Sequence, residues 1–483
     1  MARIQVGIVG CGPVGAVLAN LLGGAGVSVL VLDGEDAPYD LPRAMNFDAE
    51  VMRGFQAIGL ADEIAAVTHL SPGMRFLGGD GRVLVDWARP TAVGPQGWPV
   101  SYRFHQPELE GILVAGLVRF ANVELRRGCE LLGFEQSASG VALRYVERAS
   151  GAVREAACDY LVGCDGARSM IRKTLGVAME DLEFHEPWLV VDVILNAPRP
   201  ALGAYSLQFC GPPRPATYVR GVGMRRRWEI ALLPGETPEE MVAPARIWPL
   251  LARWLAPDEA CIERAACYVF RSLIARDWRV GRVLLAGDAA HQTPPFLGQG
   301  LCAGVRDAVN LGWKLRDVVR RGADAGLLDS YGAERIPHVR DYIALAVKMG
   351  RIINGAERPV GREGPVRMES IVPDLGPGLV AGWAGPAGRL APQPVLAGGA
   401  RLDDRVGYEF VLHVRRGVEV PPGGGARGVV VERGLVDDWL DEVGAIAAMV
   451  RPDRYVLGAA RDEAELAALC KGAVGVENLG ETV

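Results

Sequence analysis

The stretch that most constrains this chain runs from Ile4 to Asp33, where an apolar run, a glycine turn, a helical pattern and a second apolar run follow in unbroken order. Ile4 to Val9 predicts a buried strand that stops at Gly10-Cys11-Gly12-Pro13-Val14-Gly15. Val14, Val17, Leu18, Leu21 and Leu22 then recur at the spacing of a helix with one buried face. Val27 to Leu32 predicts the next strand, which ends at Asp33. A G-x-G-x-x-G string alone is weak, but between a strand and a helix, with an acid closing the next strand, it describes a dinucleotide site. Gly10 permits the tight turn, Gly12 lets a pyrophosphate approach the backbone, and Gly15 lets the helix pack on the strand. The free N–H groups and positive end of that helix favour phosphate charge. Asp33 is placed to accept hydrogen bonds from both hydroxyls of an adenosine ribose, which argues against a 2′-phosphate there.

At 483 residues the chain is too long for one ordinary core, so two or three domains are expected. Its 49% hydrophobic and 23% charged residues describe a well-packed globular protein, and a net charge of −6 gives no electrostatic footprint for nucleic acid. Apolar runs are broken by Gly, Pro or charge before about 18 residues, so no spanning helix is expected. The N-terminus carries the glycine fingerprint and no proper signal cleavage site, which makes a cytoplasmic location the default expectation. Nine cysteines without a C-x-x-C pair read as reduced thiols, and six scattered histidines offer no ligand spacing, so no metal is expected.

Beyond Asp33, Leu41-Pro42-Arg43-Ala44 reads as a loop, solvated or ligand-facing, before a helix over Ala49 to Ile58. Short strands and turns fill 71–100, and His105-Gln106-Pro107 opens another helix, with Pro107 suited to its first turn. Tyr160 to Cys164 predicts a second buried strand running into Asp165-Gly166-Ala167-Arg168, either a ligand's edge or a capped turn. Residues 186–275 lose helical period and become β-rich. Within them Arg225-Arg226-Arg227 reads as a solvated hairpin turn, with docking of a substrate carboxylate as the sharper alternative. A third strand, Arg282 to Ala286, delivers Gly287-Asp288, followed by Pro294-Pro295, Gly298-Gln299-Gly300 and a long helix. Gly376-Pro377-Gly378-Leu379-Val380-Ala381 imitates the glycine fingerprint, but Pro373 stands where a buried strand is needed, so it is a linker. A small α/β pattern resumes near 395, with strands at Phe410 to Val414, Gly428 to Val431 and Arg451 to Leu457, and a helix over Leu435 to Val443.

Gly10-x-Gly12-x-x-Gly15, Asp165-Gly166 and Gly287-Asp288, in that order and spacing, resemble the single-component FAD-dependent aromatic hydroxylases with the p-hydroxybenzoate hydroxylase fold. Pro42-Arg43-Ala44, Leu284 to His291, Gly298-Gln299-Gly300 and Arg451 to Tyr455 look most like the 3-(3-hydroxyphenyl)propionate hydroxylases and polyketide hydroxylases. The resemblance implies an α/β architecture in which a Rossmann-like FAD-binding domain is interrupted by a β-rich substrate domain and followed by a C-terminal thioredoxin-like domain. The boundaries expected are 1–175 and 276–385, with its linker, for the FAD-binding domain, 176–275 for the substrate domain and 386–483 for the last. Carried over by position, Gly10, Gly12, Pro13, Val14 and Gly15 would hold the FAD pyrophosphate and Asp33 the adenosine ribose. Arg43 and Gln106 would reach the pyrophosphate and ribityl chain, Gly287 and Asp288 the ribityl hydroxyls, and Asp165 with Gly166 both FAD and the nicotinamide. Pro295, Gly298, Gly300, Leu301 and Cys302 would face the flavin ring; Cys302 departs from the family's usual Asn.

The activity implied is hydroxylation of a phenolic acid or aromatic polyketide with O2, through a flavin C4a-hydroperoxide, with NAD(P)H as a transient cosubstrate. Tyr218 and His291 are the candidates for a catalytic base, with no residue assigned. A homodimer is allowed; no nucleic-acid or membrane partner is expected. A Baeyer–Villiger or epoxidising polyketide oxygenase on the same scaffold and a non-catalytic FAD-binding protein are the alternatives. No W-x-W string supports a halogenase, and no paired cysteine follows the first helix as a disulfide reductase needs.

Overall fold

The computed structural model describes residues 3–37, 41, 43–357, 364–380, 385–396, 398–421 and 429–477. Pro42, Ala381 and Gly428, each singled out above, lie outside the described residues. In chain order, β1 (Ile4–Val9) meets α1 (Pro13–Gly24), whose fixed-φ Pro13 opens the first turn, and then β2 (Val29–Leu32). The second strand starts two residues later than the apolar run, because Gly26 takes φ +73° and the Val27 N–H donates to Leu22 O to close the helix. Asp48 caps α2 (Ala49–Ala57) by accepting from the Val51 N–H at 3.1 Å. β3 (Gly73–Leu77), β4 (Val83–Ala88), α3 (Gln106–Ala115) and β5 (Val123–Arg126) follow. β6 (Cys129–Ser137), β7 (Gly140–Glu147) and β8 (Ala152–Gly163) then form an antiparallel meander that turns at Gly140 and Gly151.

β9 (Met179–Leu195), β10 (Ser206–Phe209), β11 (Ala216–Arg220), β12 (Arg225–Ala231) and β13 (Ala260–Ala275) make up the β-rich stretch. β14 (Val283–Leu285), α4 (Gly300–Arg320) and α5 (Asp329–Ile353) return to the first layer. The end of the chain holds β15 (Phe410–Val414), β16 (Val429–Arg433), α6 (Asp437–Glu442), β17 (Ala447–Val450), β18 (Val456–Ala460) and α7 (Glu463–Glu477).

The first sheet has a parallel core in the order β14-β8-β1-β2-β5, whose five strands deliver their carboxyl ends to one edge, while β6, β7 and the short strand Arg279–Val280 join it through antiparallel pairings. The second sheet reads β13-β9-β12-β11-β10-β3-β4, with short strands His291–Gln292 and Val366–Arg367 at its ends. β3 and β4 come from the 71–100 stretch, so the expected 176–275 boundary does not contain this sheet. Its β3–β10 pairing is parallel, between segments far apart in sequence, which no local pattern announces.

Two expectations are corrected by where turns fall. Arg225 to Arg227 lie in β12; the turn is made earlier, where Gly223 at φ +59° lets the Gly221 N–H donate to Arg225 O. Arg227 is tolerated in the strand because Asp192, its cross-strand partner on β9, accepts from it at 2.7 and 3.0 Å. Likewise Arg451 to Tyr455 is a turn and not a strand: Arg454 takes φ +73°, its N–H donates to Arg451 O, and the strands are the apolar runs on either side.

Candidate functional site

The glycine turn sorts its own residues. A Cβ at Gly10, already at φ +98°, would lie 2.3 Å from Cys164 O, and one at Gly15 would lie 2.0 Å from Gly10 O. Both glycines are therefore required for β1, β8 and α1 to pack at all. A Cβ at Gly12 would meet nothing within 4 Å, so the fold leaves that side open. Asp33, at the end of β2, accepts from the Cys11 N–H at 2.7 Å and from the Glu35 N–H at 2.9 Å, which ties the turn to the neighbouring strand.

Gln106, at the start of α3, spends its amide oxygen on the Arg43 and Ala44 N–H groups at 3.1 and 2.6 Å and donates to Glu110 at 2.6 Å. It fixes the loop that carries exposed Arg43. Asp165 accepts from the Ile171 N–H at 3.1 Å, the capped turn among the two readings, while Gly166 at φ +74° carries the backbone along the cavity. Arg172 then bridges this loop to the next by donating to Ala167 O and Ala289 O at 2.9 and 2.8 Å.

Gly287 and Asp288 follow β14 at the same sheet edge. Buried Asp307 on α4 holds their loop, accepting from the Gly287 N–H at 3.0 Å, from Arg335 at 2.9 Å and from His291 Nε2 at 2.7 Å. Asp288 itself opens onto the cavity; enclosure by the protein raises its pKa, against His291 and Arg43, which lower it. Pro295 to Leu297 form a short turn closed by Gly298 in the left-handed region, and Ala303 N–H donating to Gln299 O makes the first intrahelical bond of α4. The N–H groups before it open toward the cavity, as at any helix start.

These pieces surround one cavity of about 460 Å³. Of the residues expected from sequence, Gly12, Pro13, Val14, Arg43, Gln106, Asp288, Pro295, Gly298, Gly300 and Leu301 line it. Gly10, Gly15, Asp33, Asp165, Gly287 and Cys302 stand behind the lining, and the Cys302 thiol, fully buried, is 3.5 Å from Gly298 O. The candidate bases do not reach it. His291 is fully buried, stacked on Trp278 and committed to Asp307. Tyr218 points away from the cavity into a second core beside Trp228, because its neighbours Thr217 and Val219 take the cavity face of β11.

The opposite wall comes from the second sheet and was not foreseen. Ser206 and Gln208 on β10, Thr217 on β11 and Arg227 and Glu229 on β12 face inward, with Phe270, Met74 and Val219 supplying apolar surface. The signal was present: polar residues recur every second position in strands whose alternate positions, Leu207, Tyr218 and Trp228, are apolar. Glu229 is 7% exposed, accepts no hydrogen bond among the described residues and has Arg227 no nearer than 4.0 Å. Burial raises its pKa, outweighing Arg227.

The cavity thus joins a dinucleotide-type turn to a mixed polar and apolar wall, and comparison with known proteins agrees. Residues 3–346 match the FAD binding domain family. The chain is 37% identical over 506 residues to a probable NADH-specific resorcinol 4-hydroxylase of Rhodococcus jostii (strain RHA1), across 97% of this chain and 94% of that one. The chain belongs to the FAD-dependent aromatic hydroxylase family. It is a flavoprotein monooxygenase, with FAD as its cofactor and NAD(P)H as its reductant. Another relative, a 3-(3-hydroxy-phenyl)propionate/3-hydroxycinnamic acid hydroxylase of Mycobacterium avium (strain 104), is 39% identical over 76% of this chain, a match spanning 64% of its own length. In fold the family member resembles the flavin-dependent monooxygenase PieE, with TM-score 0.81 at 22% identity, over 98% of this chain and 99% of that one. It also resembles aklavinone-11 hydroxylase, with TM-score 0.78 at 24% identity and the same coverage. No helix among the described residues is long and apolar enough to cross a membrane.

Proposed function

We propose that this chain hydroxylates a phenolic ring of the resorcinol or 3-hydroxyphenylpropionate type, using NADH and O2. The observation that carries the reading is the continuity of the cavity from Gly12 and Asp288 to Glu229 and Phe270. Gly12 would let the pyrophosphate of FAD lie on the turn, Asp33 would take the adenosine ribose, and Asp288 the ribityl hydroxyls. Gly298, Gly300 and Leu301 would present backbone N–H groups to the ring, and Gln106 acts by fixing the Arg43 loop. FAD, when bound, supplies the oxygen-activating chemistry. The protein's share is to orient the phenol and keep water from the reacting centre, which Phe270, Met74, Val219 and Leu297 serve. The parallel sheet and the mixed sheet would be the FAD-binding and substrate layers. The order β16-β15-β17-β18, parallel for its first pair and antiparallel for the rest, supports a thioredoxin-like last domain. A reducing cytoplasmic setting suits nine free thiols, and a homodimer is proposed for the assembly.

The test is NADH oxidation by the purified holoprotein with O2 uptake and H2O2 followed together, against resorcinol and 3-(3-hydroxyphenyl)propionate. Acceleration without matching H2O2, and a product heavier by one oxygen with its ring intact, is expected. A lactone or epoxide would transfer the assignment to the polyketide oxygenases, and flavin binding without any stimulated oxidation would remove the enzymatic reading. Gly12→Val should fold and fail to retain FAD, since its side chain meets only the open cradle.

A further inference from the structure

The cavity wall holds positive charge without a protein partner. Arg103 is 3% exposed and donates only to neutral acceptors: Ser71 Oγ at 3.1 Å, Ser206 Oγ at 3.0 Å and the carbonyl of Arg220. Arg89, 9% exposed, donates to Ser101 Oγ at 2.8 Å and lies over Trp87. The Nε atoms of both are buried without an acceptor, and neither forms an ion pair among the described residues. Arg220 and Arg226 stand close enough to repel Arg103 further. Burial and these neighbours, Arg89 first, push the Arg103 pKa down to about 10. Tyr218, the titratable group opposite, is held protonated by its own burial. A buried guanidinium needs a counter-charge; among the described residues no carboxylate lies within ion-pairing distance of either arginine, and Asp48, itself paired with Arg306, acts on Arg89 only from farther off.

We infer that Arg103 and Arg89 form a subsite for an anionic oxygen of the aromatic substrate. This rests on the hydroxylase reading above. Two sources share that chemistry, a phenolate and a side-chain carboxylate. Placement favours the phenolate: Ser101, which accepts from Arg89, is hydrogen-bonded to Asn46 at 2.9 Å, and Asn46 lies against Gly298 in the proposed ring-facing loop. There the phenol gives its proton to solvent and leaves O⁻ on the guanidinium groups, which raises electron density on the ring to be hydroxylated.

The experiment is binding to the holoenzyme without NADH, so that turnover plays no part. The probe is 4-nitrophenol, whose ionised form alone absorbs in the visible. Wild-type protein should bind it with its apparent pKa lowered, and Arg103→Met should bind it at least tenfold more weakly with the lowering lost. Arg103→Lys should restore part of both. Resorcinol and 3-(3-hydroxyphenyl)propionate are then titrated in parallel. Weakening of both supports the phenolate; weakening confined to the carboxylated ligand supports the same subsite with the carboxylate as its occupant. Unchanged affinity and unchanged probe ionisation in Arg103→Met and in Arg89→Met would overturn the inference, as would loss of FAD with phenol affinity intact. Should Arg103→Met fail to fold, Arg89→Met carries the same comparison. If the wild type binds no phenol at all, the hydroxylase reading fails first.

Discussion

Among the places where this molecule buries charged side chains, two do so in opposite ways. Between α4, α5 and the turn after β17, Glu334 accepts from Arg451 at 2.8 and 2.7 Å, from Lys314 at 2.6 Å and from Asn310 at 3.0 Å. Asp453 completes the set, accepting from Arg451 at 3.0 Å, Asn310 at 2.8 Å and Trp313 at 3.3 Å. Two cations face two carboxylates, and burial, which would raise the Glu334 pKa, is outweighed by Arg451 and Lys314, which hold it well below the usual range. Nearby, Arg53 and Arg454 share Asp403. Along the cavity, Arg89 and Arg103 are buried with no such closure, and Glu229 has only Arg227 at 4.0 Å as an ion-pair partner among the described residues. In the closed region the fold neutralises its own charges; along the cavity the subsite inferred above would leave that to the substrate. A buried charge whose partner is a ligand lowers the stability of the empty protein and raises affinity.

The largest expected effect comes from opening the closed region. Arg451→Met leaves Glu334 and Asp453 buried without their main counter-charge and should cost about 3–5 kcal/mol, read from urea denaturation. Arg103→Met, an equally buried arginine, should change stability by less than about 1 kcal/mol or raise it, because it removes a charge that had no partner. Equal losses in the two variants would erase the distinction between the regions.

Acid should test the closed region next. His413, on β15 behind Asp403, has its pKa lowered to about 4, by burial first, against Asp403. A folded pKa below the unfolded value means that its stabilising contribution is complete above about pH 6.5 and is lost as pH falls through 4. Between those limits the loss should reach about 3 kcal/mol. His413→Leu should flatten the stability–pH curve over that window by that amount; an identical curve would mean that the histidine is solvated.

Much of the dinucleotide side of the cavity is legible in the sequence, while its opposite wall and the closed charge set are not, for a physical reason. A βαβ unit is written locally: Gly10, Gly12, Gly15 and Asp33 sit within one stretch of chain, and backbone packing dictates Gly10 and Gly15. Gly287 and Asp288 were found likewise, at the end of a short apolar strand. Arg89, just past β4, Arg103, on the short strand Ser101–Arg103 of a separate three-stranded sheet, and Glu229, on β12, are far apart in sequence, and only the folded chain shows that they face one space. Arg225 to Arg227 misled because a run of like charge suggests solvent, while β12 alternates faces and Asp192 neutralises one of them from the neighbouring strand. The Arg451 to Tyr455 motif was noticed, but its partner Glu334 lies far off on α5.

Glu229 gives a smaller effect of opposite sign. Its raised pKa means that the glutamic acid form costs nothing below the usual carboxylate range and that stability is lost as pH rises through the folded value. Glu229→Gln should therefore match wild type near pH 4 and exceed it by about 1–2 kcal/mol at pH 8. If the wild type is the more stable at pH 8, the carboxylate has a protein partner and belongs with the closed set.

The smallest effect concerns a polar pair on the cavity wall that the fold does satisfy. Thr217 Oγ1 donates to Gln208 Oε1 across β10 and β11, so both groups face the ligand space without needing a ligand. Thr217→Val keeps the shape, removes one neutral hydrogen bond and leaves Gln208 able to turn toward the cavity. It should cost about 1 kcal/mol of stability and leave the affinity for 4-nitrophenol within twofold of wild type. An order-of-magnitude loss of phenol affinity would show that position in the cavity, and not the absence of a protein partner, decides which residues bind substrate.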